Sequence, residues 1–230
     1  MKIAIMGAME EEIAPLLAYF KTYETIECGK NNYYVTHYKG LDLIIAHSKI
    51  GKVNATLTAS TLIHKFGAQK LLFSGVAGAV SDDLKIGDLI IASKLAQHDL
   101  DISAFGHPYG YVPGGAVYVD ADSTLMELAK KVAQALNTPL KEGIIATGDQ
   151  FICAVDKKEW IEKTFHADAL EMEGAAVAVV CDALNVPFCI LRAISDAADM
   201  DAGFNFDTFL ESSAKGSAAF MVALLDAIVE

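Results

Sequence analysis

The chain holds one arginine in 230 residues, and it lies inside an apolar run, Phe188-Cys189-Ile190-Leu191-Arg192-Ala193-Ile194, that ends in Ser195-Asp196. A guanidinium does not shed its proton and is costly to take out of water. Such a strand must aim Arg192 at carboxylates or at ordered water in a closed site. An edge strand would let the head escape to the surface, but the apolar flanks read as a central strand covered on both faces. In α/β sheets, ligands bind beyond the carboxyl ends of the strands, where Asp196 falls.

The rest of the chain alternates strand, turn and helix. Lys2–Gly7 reads as a strand and Glu10–Tyr19 as a helix with an acidic start, and Tyr33–Tyr38 with Leu41–Ser48 as a hairpin around Lys39-Gly40. A helix is expected from about Asn54 to Phe66. Lys70–Ser74 is a short buried strand opening into a small-residue turn, Gly75-Val76-Ala77-Gly78, and Asp88–Ala92 is another strand. Ser123–Leu136 is an amphipathic helix, Gly143–Thr147 and Ala169–Glu171 are strands, and Gly174–Leu184 is a helix of small apolar residues. Asp207 is expected to cap a last helix. This alternation predicts an α/β fold, a three-layer α/β/α sandwich with a mixed or mostly parallel central sheet, over residues 1–230 as one domain.

Composition narrows the partners. A net charge of −12 repels phosphate backbones and anionic lipid heads, so no nucleic acid and no membrane surface is expected, and the ligand reads as neutral or cationic. The longest apolar candidate, Ala175–Cys181, falls short of a membrane span, and Glu10-Glu11-Glu12 follow the first strand where a signal peptide would stay apolar. A cytoplasmic location is the expectation. Cys28, Cys153, Cys181 and Cys189 are scattered and read as buried, reduced thiols rather than a disulfide or zinc framework. His98-Asp99-Leu100-Asp101 is the one cluster with metal-binding side chains, and a polar turn after a strand accounts for it as well, so no metal and no cofactor is expected.

Two turns carry unusual acids. At Gly7-Ala8-Met9-Glu10-Glu11-Glu12, a dinucleotide fold would place glycines and a free helix N-terminus for pyrophosphate; three acids stand there instead. They favour the positive helix end, which accounts for Glu10 and Glu11, while Glu12 reads either as the same or as a general base. At Glu171-Met172-Glu173-Gly174, one carboxylate must pass close to the core, where only pairing makes it tolerable. Glu173 reads as a helix cap or as the grip on a ribose diol, and Glu12 and Glu173 are the expected partners of Arg192.

Taken together, Gly7-Ala8-Met9-Glu10-Glu11-Glu12, Ile50-Gly51-Lys52-Val53, Ser103-Ala104-Phe105-Gly106, Thr147-Gly148-Asp149, Glu171-Met172-Glu173, Arg192-Ala193-Ile194-Ser195-Asp196 and Phe206-Asp207 with Phe209-Leu210 resemble the 5'-methylthioadenosine/S-adenosylhomocysteine nucleosidase family along the whole chain. The resemblance implies a nucleoside phosphorylase-like fold, a homodimer, and hydrolysis of an adenine N-glycosidic bond without metal or cofactor. It makes Asp196 the acid that protonates N7 of adenine, with Ser195 beside it, Glu12 the base that activates water, and Arg192 a holder of that water. Glu173, backed by Met172 and neighboured by Glu171, would bind the ribose hydroxyls. Phe151 would stack on the base while the backbone of Ile152 reads its edge. Met9, Ile50 and Phe206 would line the sugar and 5' side, and Phe105 and Pro113 would enter the neighbouring subunit's pocket.

One stretch departs from the family pattern: Val76-Ala77-Gly78 replaces a Ser-Ala-Gly, removing a hydroxyl near the expected water. Within the family, a subgroup acts on 6-amino-6-deoxyfutalosine in a menaquinone route. Two rival functions stand beside hydrolysis: a phosphorylase of the same fold, which would need cations for phosphate, and a nucleoside-binding sensor, which would have no use for Glu12 and Asp196 together. The loop Ser103–Gly115 carries three aromatics and two prolines, an apolar load that fits either an interface between subunits or a lid within one.

Overall fold

The computed structural model describes residues 1–198 and 202–229. Ten strands form one mixed sheet: β1 (Lys2–Gly7), β2 (Glu24–Cys28), β3 (Asn31–Tyr38), β4 (Leu41–His47), β5 (Lys70–Ala79), β6 (Leu89–Gln97), β7 (Tyr118–Asp120), β8 (Leu140–Thr147), β9 (Ala169–Glu171) and β10 (Phe188–Asp196). The helices are α1 (Glu10–Phe20), α2 (Lys52–His64), α3 (Ser123–Leu136), α4 (Val155–Phe165), α5 (Gly174–Ala183) and α6 (Ala202–Val229). From the β2 edge the order is β2-β3-β4-β1-β5-β9-β8-β6-β10, and β10 pairs again with β5, so five strands close into a ring. The β5 and β10 strands are the seam of that ring.

Alternation along β1 sorts the core into two layers. Ile3 and Ile5 join Ile13 and Leu16 of α1, Ala129 and Val132 of α3, and Met221 and Leu224 of α6. Ala4 and Met6 face the other way, toward Ala55, Ala59 and Leu62 of α2 and Val177 and Cys181 of α5. A smaller cluster of Ile152, Ile161, Phe165 and Leu170 seats α4. The three-layer reading is therefore the observed one.

Several expected boundaries move. Gly75-Val76-Ala77-Gly78 is no turn: β5 runs through it to Ala79, and its small residues let neighbouring side chains close on the backbone. The unexpected β2 is an exposed edge without apolar alternation, and α4 buries only Ile161 and Phe165. Asp207 lies inside α6, five residues past its start, and does not cap it. Asn205–Val229 also has the length and mean hydropathy, 1.3, of a membrane-crossing helix, contrary to the sequence reading. Here it packs against β5, β10, α1 and α3, with Ser217 Oγ bonded to Ser74 Oγ at 2.9 Å. Of the four free cysteines only Cys181 and Cys189 are buried; Cys28 is half-buried and Cys153 exposed, which corrects the expectation of four buried thiols.

Candidate active site

The parallel pairing of β10 with β5 sets Arg192 opposite Gly75 and Asp196 opposite Gly78, with a bulge between Ile194 and Asp196 that re-aims the strand end. Both glycines let functional side chains close on the strand. A Cβ on Gly75 would lie 2.6 Å from Glu12 Oε1 and 2.8 Å from Arg192 Nη1, and one on Gly78 would lie 2.6 Å from Asp196 Oδ1.

Glu12 sits in the first turn of α1, buried, while Glu10 and Glu11 stay exposed. Its Oε2 accepts from the backbone N–H groups of Ala8 at 2.5 Å and Met9 at 3.0 Å, and its Oε1 from Val76 N at 2.9 Å. Burial raises its pKa above the ordinary carboxylate value, against the pull of the Arg192 charge and the three backbone donors.

Arg192 is fully buried, so the surface-escape alternative fails. Its bonded partner is neither Glu12 nor Glu173, as the sequence suggested, but Glu171: Nη2 donates to Oε2 at 2.6 Å, and the guanidinium lies 4.0 Å over the Phe73 ring. Glu171 also accepts from Thr147 Oγ1, from Gly174 N at 2.6 Å and from Glu173 N at 3.1 Å, which makes it the cap of α5. Glu173 does not follow it, because its backbone (φ −138°, ψ −35°) has left the strand. Among the described residues Nη1 and Nε of Arg192 have no hydrogen-bond partner, and Nη1 shares the space against Gly75 with Glu12.

Freed from capping, Glu173 turns its side chain away and accepts from Gly51 N at 2.8 Å. Burial, with the Glu171 carboxylate adding to it, pushes its pKa up to about 8. Asp196 takes Ser195 Oγ at 2.9 Å on Oδ2 and Ala198 N at 2.9 Å on Oδ1.

A cavity of about 500 Å³ collects these groups. Glu12, Glu171, Glu173, Ser195 and Asp196 supply its polar wall, and Met9, Ile50, Val76, Ala77, Gly78, Phe151, Met172 and Phe206 its apolar one. Phe151 and Phe206 meet edge to face, ring centres 5.8 Å apart. Ile152 lines an adjoining recess shared with Phe151, Met172 and Asp196. Arg192 is not on the lining but behind it. Ala8, Leu170, Gly203 and Asp207 also line the cavity and were not expected to; the last two do so because α6 starts at Ala202, ahead of the expected cap. Phe105 and Pro113 do not reach this cavity: both are exposed, Phe105 at 81% on a single 3-10 turn, Ser103–Phe105.

The His98 cluster holds no metal-binding group of three His, Cys, Asp or Glu side chains among the described residues. Asp99 is bonded to Lys52 Nζ at 2.6 Å instead.

The sequence profile of the Phosphorylase superfamily matches residues 2–230. The chain belongs to that superfamily. Among its curated members, the aminodeoxyfutalosine nucleosidase of Campylobacter jejuni is 58% identical over 226 residues, 98% of this chain and 99% of that protein. The 5'-methylthioadenosine/S-adenosylhomocysteine nucleosidase of Oceanobacillus iheyensis is 36% identical over 229 residues, 99% of this chain and all of that protein. A superfamily structure, the Helicobacter pylori 5'-methylthioadenosine/S-adenosylhomocysteine nucleosidase with butyl-thio-DADMe-Immucillin-A, matches with a TM-score of 0.97 at 50% identity, over 98% of this chain and 97% of that one.

Proposed function

We propose that this chain, acting as one domain, hydrolyses the N-glycosidic bond of 5'-substituted adenine nucleosides and releases adenine, with 5'-methylthioadenosine, S-adenosylhomocysteine, 5'-deoxyadenosine and the aminodeoxyfutalosine type as its substrate range. The observation that carries the reading is the convergence of two buried acids, Glu12 and Asp196, on one cavity that also holds Glu173 and an aromatic wall. The 58% identity to the protein named aminodeoxyfutalosine nucleosidase supports including that substrate type in the range.

In this mechanism adenine lies between Phe151 and the Asp196 end of the cavity. Asp196, oriented by Ser195 and Ala198 N, donates a proton to N7, so that the base leaves neutral. The sugar develops oxocarbenium character, and carboxylates around it stabilise the positive charge. Glu173 accepts from the ribose hydroxyls. Glu12 draws a proton from water as it attacks the anomeric carbon, with the unpaired Nη1 of Arg192 as the adjacent donor that orients that water. Glu12 enters the cavity from α1 and Asp196 from the end of β10, and with the two acids on separate elements the reading is direct displacement by water rather than a covalent sugar intermediate.

The phosphorylase alternative is disfavoured by the lining, which carries five carboxylates and, among the described residues, no lysine or arginine. Adenine release from aminodeoxyfutalosine, 5'-methylthioadenosine and S-adenosylhomocysteine, measured with and without phosphate, tests the proposal. Phosphate-independent release is the expected result, and strict phosphate dependence or binding without cleavage overturns it. The working unit in this reading is a cytoplasmic homodimer in which Phe105 and Pro113 close the partner's 5' pocket. Support comes from the exposed Phe105, from Val53 and Leu57 one turn apart on the outer face of α2, and from four unpaired cysteines.

A further inference from the structure

The acids of the cavity do not account for Asp99, which stands in the turn after β6 with its side chain largely covered. Its two oxygens hold two different loops. Oδ1 accepts from Lys52 Nζ at 2.6 Å, at the start of α2, and Oδ2 accepts from the backbone N–H of Asp149 at 2.9 Å, in the loop after β8. Asp149 closes the circuit, because its Oδ1 accepts from Lys52 N at 2.7 Å. It also lies 3.0 Å from where a Cβ would stand on Gly51, whose φ of +99° already favours glycine. The N–H of Gly51 is the donor to Glu173. On the far side, the neutral ring of His98 is pressed against Gly148, leaving no room for a side chain there. The Lys52 and Asp149 bonds outweigh burial and hold the Asp99 carboxyl below its ordinary pKa, so it is ionised at neutral pH.

We propose that Asp99 is a positioning residue whose carboxylate, through Lys52 and Asp149, locks the loops at 49–52 and 148–151 together and so fixes the Gly51 N–H on Glu173 and the Phe151 ring beside the cavity. The effect of the lock on turnover rests on the nucleosidase reading above. Asp99→Asn keeps the shape but turns one acceptor into a donor, so it cannot serve both Lys52 Nζ and Asp149 N–H. With 5'-methylthioadenosine as substrate, that variant is expected to raise KM about tenfold, the size of one charge-assisted hydrogen bond, with kcat changed less than about threefold. Lys52→Met is expected to act in the same direction, and the double variant to be no worse than the poorer single one.

Amide hydrogen exchange without substrate supplies a second readout. Residues 50–53 and 149–151 should exchange faster in both variants while β1 and β5 keep their protection. A folded Asp99→Asn protein with KM within about twofold of wild type, or with unchanged exchange in both loops, overturns the proposal. A wild-type protein that cleaves none of the nucleosides overturns the functional reading instead, and the exchange measurement still decides the lock.

Discussion

Arg192 shows how far one side chain can be read from its neighbours in sequence. Its burial and its need for a carboxylate follow from the apolar run around it, but its partner does not. Glu171 and Glu173 are two apart, and the chain leaves the strand between them, so their side chains diverge: one anchors Arg192 and caps α5, the other accepts from Gly51 N. Arg192→Lys keeps the charge but cannot reproduce a planar fork lying over Phe73, so turnover should fall by about tenfold or more; a fully active lysine variant would contradict that. Glu173 gives a pH signature. Its pKa rises on folding from 4.5 to about 8, so the folded state binds the proton more tightly than the unfolded chain. Its contribution therefore favours folding at low pH and is lost as pH climbs through that interval. Glu173→Gln removes the penalty while keeping an acceptor for Gly51. The melting temperature of the variant relative to wild type should thus increase between pH 5 and pH 8.5 by several degrees, at roughly 2–4 °C per kcal/mol. A difference that is flat with pH, or that falls, would refute this assignment.

Strands and helices with strong internal patterns were legible: β1, β9 and α3 fall where alternation, short apolar runs and helix-start signals put them. What the sequence concealed was context. A stretch of glycine, valine and alanine carries turn chemistry on its own, yet in β5 it is a strand whose missing side chains admit Glu12, Arg192 and Asp196. The start of α6 was hidden for the opposite reason, since Asp207 has the chemistry of a cap but lies within the helix and on the cavity wall. Gly75→Ala tests the β5 reading. Its added methyl must push Glu12 or Arg192 aside, an overpacking that costs about 1–3 kcal/mol, and activity should fall with them. An alanine variant with wild-type turnover and stability would show that Glu12 and Arg192 do not crowd that backbone.

The closed ring of strands, with β1 paired to β5 at its seam, explains why acids far apart in sequence, on β1–α1, β9–α5 and β10, arrive at one cavity, and the cavity in turn explains why this surplus of negative charge is tolerated inside the protein. Its exposed aromatic loop belongs to a larger assembly in our account. Phe105→Ala should leave the subunit folded but weaken binding of substrates with large 5' groups, and sedimentation should find active protein only as dimers; an active monomer would remove the partner's role. Nothing probes the chemistry more sharply than adenine release by Asp196→Asn beside wild type in phosphate-free buffer, with aminodeoxyfutalosine and 5'-methylthioadenosine as substrates. Wild type should release adenine, and the variant should be slower by roughly two to four orders of magnitude, the range of a lost general acid, while retaining its melting temperature. A variant that turns over near the wild-type rate would take Asp196 out of the mechanism and the proposed acid catalysis with it.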